Sequence, residues 1–270
     1  MSTLVIDMAA PPTKSQLELI DAADARHHLI FPAGTGIATL MAKVVDKKSA
    51  AFIQQPSAPA LFLSMAYKAH RASKKAESGI KFTDELMGSG LQDGGTFDFF
   101  ELRMQHVIFS YGALEAYANE SIPDPFTWPT TNSRGESVTL NRDETERRVS
   151  LDEKLEHILT TVFGKASIKG GPLWNKFKTL KGLRDRLIHL KHFDSRAKPD
   201  AEDNSVWADL YASRGTDFTM QAHEIITYFN GAARTWARKF PFEELAKRAE
   251  SSALRADRNR GKRARRESKK

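Results

Sequence analysis

Apolar residues recur at three- and four-residue intervals along most of the chain, the period of a helix with one buried face, while strand-like alternation is sparse. The spacing predicts helices near residues 14–27, 37–53 and 58–76, divided by "FPAGTG" and "QQPSAP" and closed by the glycine-rich "GSGLQDGG". A long helix follows from about Thr96 to Ile122 and is stopped by "PDP". The irregular stretch beyond it holds one hairpin around Arg134-Gly135. Ser150 and Glu153 stand in capping-box positions for a helix whose Leu151, Leu155, Ile158, Leu159 and Val162 follow helical spacing, with Gly164 as its stop. Pro172 suits the first position of the next helix. A final helix from about Thr216 to Phe240 presents Phe218, Ala222, Ile225, Phe229 and Trp236 on one side. The expected fold class is all-α, with a helical extension over 1–95, a helical domain over 96–240 and a basic segment over 241–270.

Composition narrows the chemistry. The 270 residues are 40% hydrophobic, enough to bury a sizeable core. The absence of cysteine excludes disulfides and thiolate metal sites and suits a reducing compartment. No apolar run approaches the roughly 20 residues of a membrane span, and "MSTLVIDMAAPP" lacks the basic start and long apolar region of a signal peptide. These features predict a soluble, cytoplasmic protein that does not enter membranes.

The net charge of +7 is confined to one end. Residues 255–270, "RADRNRGKRARRESKK", carry nine Arg or Lys against Asp257 and Glu267, so residues 1–254 hold 32 of each sign. Such a run attracts polyanions through counterion release without naming a sequence, and Arg263, Arg265 and Arg266 are its candidate RNA contacts. A solvated, unfolded end is the alternative, because blocks of like charge seldom fold alone.

The segment "GLRDRLIHLK", from Gly182 to Lys191, concentrates the candidate chemistry. On a helical wheel Leu173, Phe177, Leu180, Leu183, Leu187 and Ile188 fill one stripe about 140° wide, and Arg184 falls inside it. A guanidinium there must reach water, a carboxylate or a partner surface. Lys178, Lys181, Asp185, His189 and His192 form an opposite sector about 80° wide. Asp185 and His189 are one turn apart, a spacing at which a carboxylate can orient an imidazole that moves protons. From Pro172 to Lys191 six basic residues face one acid, which predicts a site for an anion, with Lys178, Lys181 and Lys191 as backbone contacts. Ideal helical geometry sets Arg184 and His189 about 140° apart, so convergence needs a bend or a second copy of the helix.

"RDRLIH", an arginine followed by a histidine after a short polar-apolar interval, resembles the signature of the HEPN superfamily of helical RNases and nucleotide-binding proteins. "FSYGALEAYANESI" resembles the long first helix of those domains, "SLDEKLEHIL" a middle helix, and "WNKFKTLKGLRDRLIHLK" the motif helix, so the likeness covers about 96–240. The resemblance implies an antiparallel helical bundle that forms a homodimer with a composite cleft. It also implies cleavage of RNA without metal or other cofactor, through attack by the ribose 2′-hydroxyl. His189 would be the acid-base group, Arg184 would stabilise the phosphorane and Asp185 would order the pair. A toxin or phage-defence endoribonuclease is the expected function, with an antitoxin or regulatory protein as an implied further partner. The alternative is an inactive scaffold of the same fold that binds nucleic acid, nucleotide or a protein.

Supporting positions carry two readings each. Glu115 and Asn119 share an otherwise apolar face of the long helix, where they line the cleft and hold Arg184, or brace two helices. His192 is a second proton carrier, or with His189 a metal pair, but no third ligand stands nearby in sequence, so no metal is expected. "GTG" at Gly34–Gly36 lacks the lysine of a phosphate loop. Trp174 and Trp236 are expected in the core, and His27, His28, His70, His106, His157 and His223 at the surface or satisfied inside.

Overall fold

A computed structural model describes residues 49–80, 94–195, 205–229 and 235–242, together with 24, 26, 29–30, 38–39 and 41–46. Among them the chain is mostly helical. Short antiparallel pairs join β1 (Leu29–Ile30) to β2 (Ala38–Thr39) and β3 (Met41–Asp46) to β4 (Ser49–Gln54). The helix expected over 37–53 is therefore corrected to a hairpin. Val44, Val45, Phe52 and Ile53 favour the pleated strand, and a register with Asp46 opposite Ser49 pairs six residues with six. Of the helix expected near 14–27 only Asp24 and Arg26 are described, and neither is helical.

Helix α1 (Ala58–Glu77) is opened by Ser57, whose side chain accepts from the Ala60 amide, and buries Ala60, Leu63, Ala66 and Ala69 at helical spacing. It packs extensively on α2 (Gly94–Glu120), the long helix expected from about 96. After α2 the hairpin predicted around Arg134-Gly135 is present as β5 (Thr127–Thr131) and β6 (Ser137–Asn141), with Gly135 at φ 80°. A short helix the periodicity did not suggest, α3 (Arg142–Arg148), starts at a full capping box made by Asn141 and Glu144.

Helix α4 begins at Leu151–Glu153, widens to a π-helical turn at Lys154–Ile158 and resumes at Leu159–Phe163. The Ser150 side chain accepts from the Glu153 amide as expected, but the Glu153 carboxylate turns away and accepts from Trp128 Nε1 at 2.8 Å. Gly164, at φ 60°, ends the helix in the left-handed conformation. Next come α5 (Pro172–Ile188), α6 (Val206–Ala212), α7 (Phe218–Phe229) and α8 (Thr235–Lys239). Helix α6 was not anticipated, and of the long helix expected over 216–240 the described parts are α7 and α8.

One core unites these helices. Leu63 of α1 joins Leu114 and Tyr117 of α2, Leu155 of α4, Phe177, Leu180 and Leu183 of α5, Leu210 of α6 and Phe229 of α7. The glycine-rich break before α2 therefore does not separate two cores, because α1 completes the apolar interior of the helices that follow. Trp236 is buried and Trp174 packs against the core. Ile122, Leu140, Val149 and Ile158 form a smaller cluster beneath the hairpin. No described helix is long and apolar enough to cross a membrane.

Candidate functional site

Helix α5 buries Phe177, Leu180, Leu183 and Leu187, and Arg184, which falls inside that stripe, is only partly buried. It escapes burial of its charge in two ways. The guanidinium carbon lies 4.2 Å from the centroid of the Tyr111 ring on α2, and Nη1 donates to Asp185 Oδ1 at 2.9 Å. Burial pushes the Tyr111 phenol up to about 12 against the opposing pull of Arg184, so the ring under the guanidinium stays neutral.

Asp185 belongs to a row of alternating charges. Its Oδ2 accepts from Lys181 Nζ at 2.6 Å, while Lys181 lies 3.8 Å from Asp152 Oδ2, and Asp152 Oδ1 accepts from Lys178 Nζ at 2.7 Å. Burial works against the charge of Asp185, but Lys181 and Arg184 outweigh it and hold the carboxyl below its ordinary value. Asp152, at the N-terminus of α4, is the residue the sequence reading missed. It neutralises part of the basic face, as Glu224 does for Lys176.

Helix α5 ends sooner than the wheel assumed. Ile188 is its last residue, and His189 sits at the C-cap with φ −118° and ψ 55°, its amide donating to the Asp185 carbonyl. Among the described residues the imidazole has no hydrogen-bond or ionic partner, and both oxygens of Asp185 are taken by Lys181 and Arg184. The His189 amide keeps the i→i−4 bond of the helix, so the chain turns away only after the His189 Cα. Ile188, expected in the buried stripe, is 52% exposed, and Leu190 is 51% exposed. His189, Lys191 and His192 are exposed with them, and His192 opens a 3-10 turn, His192–Ser195.

Asp194 explains this turn. Its carboxylate is buried and accepts from the Lys191 amide at 3.1 Å, the Val206 amide at 2.9 Å and Arg186 Nη2 at 2.9 Å. Burial would raise its pKa, but these donors outweigh that cost and leave it lowered. Arg186 also pairs with Asp209 of α6. One carboxylate thus fixes the exit of α5 and the entry of α6.

The supporting residues divide. Asn119 Oδ1 accepts from Lys154 Nζ at 2.8 Å, and the same ammonium donates to the Glu146 carbonyl at 2.7 Å. Asn119 therefore braces α2 against the buried Lys154 at the π-helical turn and does not hold Arg184. Desolvation lowers the Lys154 pKa, opposed by Glu115 and Glu146. Glu115 is exposed and forms no ion pair among the described residues. Arg263, Arg265 and Arg266 lie outside the described residues.

A second polar cluster gathers two of the histidines expected at the surface or satisfied inside. His70 of α1, His106 of α2 and Asp217 before α7 bring one ligand-type atom each within 4.8 Å of one another. Arg103, fully buried, donates from Nη2 to the Ser213 carbonyl at 2.7 Å and lies, through Nη1, 2.9 Å from His106 Nδ1 and 3.4 Å from His70 Nδ1. A guanidinium only donates, so His106 Nδ1 must be the acceptor and the ring proton resides on Nε2, 3.6 Å from Asp217 Oδ1. The Thr219 amide, 3.2 Å from Nε2, is served by Asp217 Oδ1 at 3.0 Å. Metal ligation through Nε2 would need an imidazolate, so the trio does not fit a metal. Desolvation pushes His106 down to about 4 and Arg103 down to about 10, and also lowers His70. The cluster is a neutral-histidine fastening between α1, α2 and α7.

Comparison of the chain with protein-family models, with curated proteins and with solved structures finds no match.

Proposed function

We propose that this protein is a metal-independent endoribonuclease of the HEPN kind, acting as a homodimer in a toxin or phage-defence setting. The observation that carries the reading is that the end of α5 bears both a guanidinium restrained by Tyr111 and Asp185 and, at the C-cap, an exposed imidazole with no partner among the described residues. In this reading His189 takes the proton of a ribose 2′-hydroxyl as its oxygen attacks the adjacent phosphorus. Arg184 stabilises the phosphorane charge, and the imidazolium formed at His189 returns its proton to the departing 5′-oxygen, giving a 2′,3′-cyclic phosphate and a 5′-hydroxyl. The exposed Ile188 and Leu190 on either side of His189 offer an apolar margin against which a second copy closes the cleft. Lys191 and the basic tail hold the RNA backbone.

The test is an assay of the purified protein on total RNA and tRNA with end-group analysis. H189A and R184A should each abolish cleavage while helicity and dimerisation remain, and a chelator should leave the wild-type rate unchanged. Activity that survives either substitution, or vanishes with the chelator, removes this mechanism.

A second reading, an inactive scaffold of the same kind, is favoured by one observation. Asp152 and Asp185 occupy Lys178, Lys181 and Arg184, where phosphate oxygens would otherwise sit. Wild-type protein that binds RNA, forms dimers and gives no cyclic-phosphate ends would select it.

A further inference from the structure

We infer that Tyr111 is the positioning residue for Arg184, and that its ring face and the Asp185 carboxylate together clamp the guanidinium so that its free edge is presented to a phosphodiester. This rests on the proposed ribonuclease reading and adds to it a residue from a different helix. An arginine on a helix has four side-chain torsions, and an exposed one samples many orientations, so a transition state would have to wait for the productive one. Here two contacts of different kinds remove that freedom. The Tyr111 ring holds the guanidinium carbon over its face, 4.2 Å from the centroid, and Asp185 holds one edge of the group through Nη1 at 2.9 Å. Tyr111 is itself immobile, 6% exposed in the core of α2 and stacked on Phe177 with 6.5 Å between ring centroids and 19° between planes. The platform therefore belongs to the rigid interior, whereas the guanidinium lies on a side chain still 27% accessible. The phenol stays protonated because burial raises its pKa, so the ring attracts the cation without cancelling the charge a phosphate would meet.

The clamp predicts that the ring, and not the hydroxyl, matters. Y111L should lower kcat for RNA cleavage about tenfold with little change in KM, the equivalent of about 1.4 kcal/mol of lost cation–π attraction. Y111F should rescue most of that loss. Phenylalanine with two and then three ring fluorines at position 111 keeps the shape of the ring and weakens its negative face. These variants should lower kcat stepwise, and they keep the test available if Y111L fails to fold. An independent readout is the proton resonance of the Arg184 side chain in the full-length protein. It should be shifted upfield by the ring in wild type and Y111F, and the shift should be lost in Y111L. No upfield shift in wild type, or unchanged kcat across the fluorinated series, would overturn the clamp. If wild-type protein cleaves no RNA, the ribonuclease reading fails separately. The clamp is then judged by titrating inorganic phosphate against the Arg184 resonance: weaker binding in Y111L rescued by Y111F supports it, and equal binding overturns it.

Discussion

Asp185 serves Arg184 and not His189. Its two oxygens are taken by Arg184 Nη1 at 2.9 Å and Lys181 Nζ at 2.6 Å, while the only tie from His189 to this residue runs through the backbone. In the proposed enzyme Asp185 therefore acts on the charge-stabilising side of the reaction. D185N keeps a carbonyl acceptor for Arg184 but loses the charge-assisted bond, so kcat/KM for RNA should fall about tenfold rather than vanish. Steady-state cleavage by D185N beside H189A decides the point, since equal, complete losses would return Asp185 to the histidine.

The fastening around Arg103 makes acid an unfolding agent. An unfolded histidine titrates near 6.5, whereas folded His106 is pushed to about 4, so between those values the unfolded chain binds more protons and stability drops as pH falls. For His106 alone the loss between pH 7 and pH 5 should be about 2 kcal/mol. Urea unfolding across that range measures it. H106Q, which keeps an acceptor for Arg103 and removes the titration, should flatten the slope.

Removing Arg103 should be severe for a different reason. R103L strips the donor from the Ser213 and Thr216 carbonyls and from His106 Nδ1, leaving buried acceptors unsatisfied at a cost of about 3 kcal/mol. The double variant R103L/H106L should cost less than the sum of its two single changes, because it removes the stranded acceptor on the imidazole. Chemical unfolding of the four proteins closes the cycle.

The basic end separates binding from chemistry. Deleting residues 255–270 removes nine basic and two acidic residues, so RNA affinity should fall and the dependence of log Kd on log salt should flatten. Cleavage at saturating RNA should persist. A bundle left with no affinity at all would mean that the protein meets nucleic acid through its tail alone.

Much of this was legible in the sequence, and the misses have physical causes. The apolar period located α1, α2, α4 and α5 because each buries one continuous face, and Pro172 and Gly164 marked ends where backbone chemistry permits little else. The same period failed over 41–54, where alanines and lysines read as helical while valine, isoleucine and phenylalanine paired across a hairpin. It could not see α3, whose signal was the capping pattern of Asn141 and Glu144 rather than an apolar stripe.

At the site, a wheel drawn through Gly182–Lys191 identified Arg184 as an anomaly needing a partner, but not which one. The ring that receives it comes from Tyr111, 73 positions earlier, and only packing joins α2 to α5. The early end of α5 was equally hidden, since Asp194 lies beyond the helix it terminates. The burial of Lys154 could not be read from its own helix either, because its partners, Asn119 and the Glu146 carbonyl, lie on other elements.

The line from Lys178 through Asp152, Lys181 and Asp185 to Arg184 sets three cations against two carboxylates. One unit of positive charge is left over. An internucleotide linkage, with its single negative charge, would bring the row to neutrality, whereas a terminal phosphate would overshoot it. In the proposed ribonuclease this balance would favour the inside of a nucleic-acid strand over its ends.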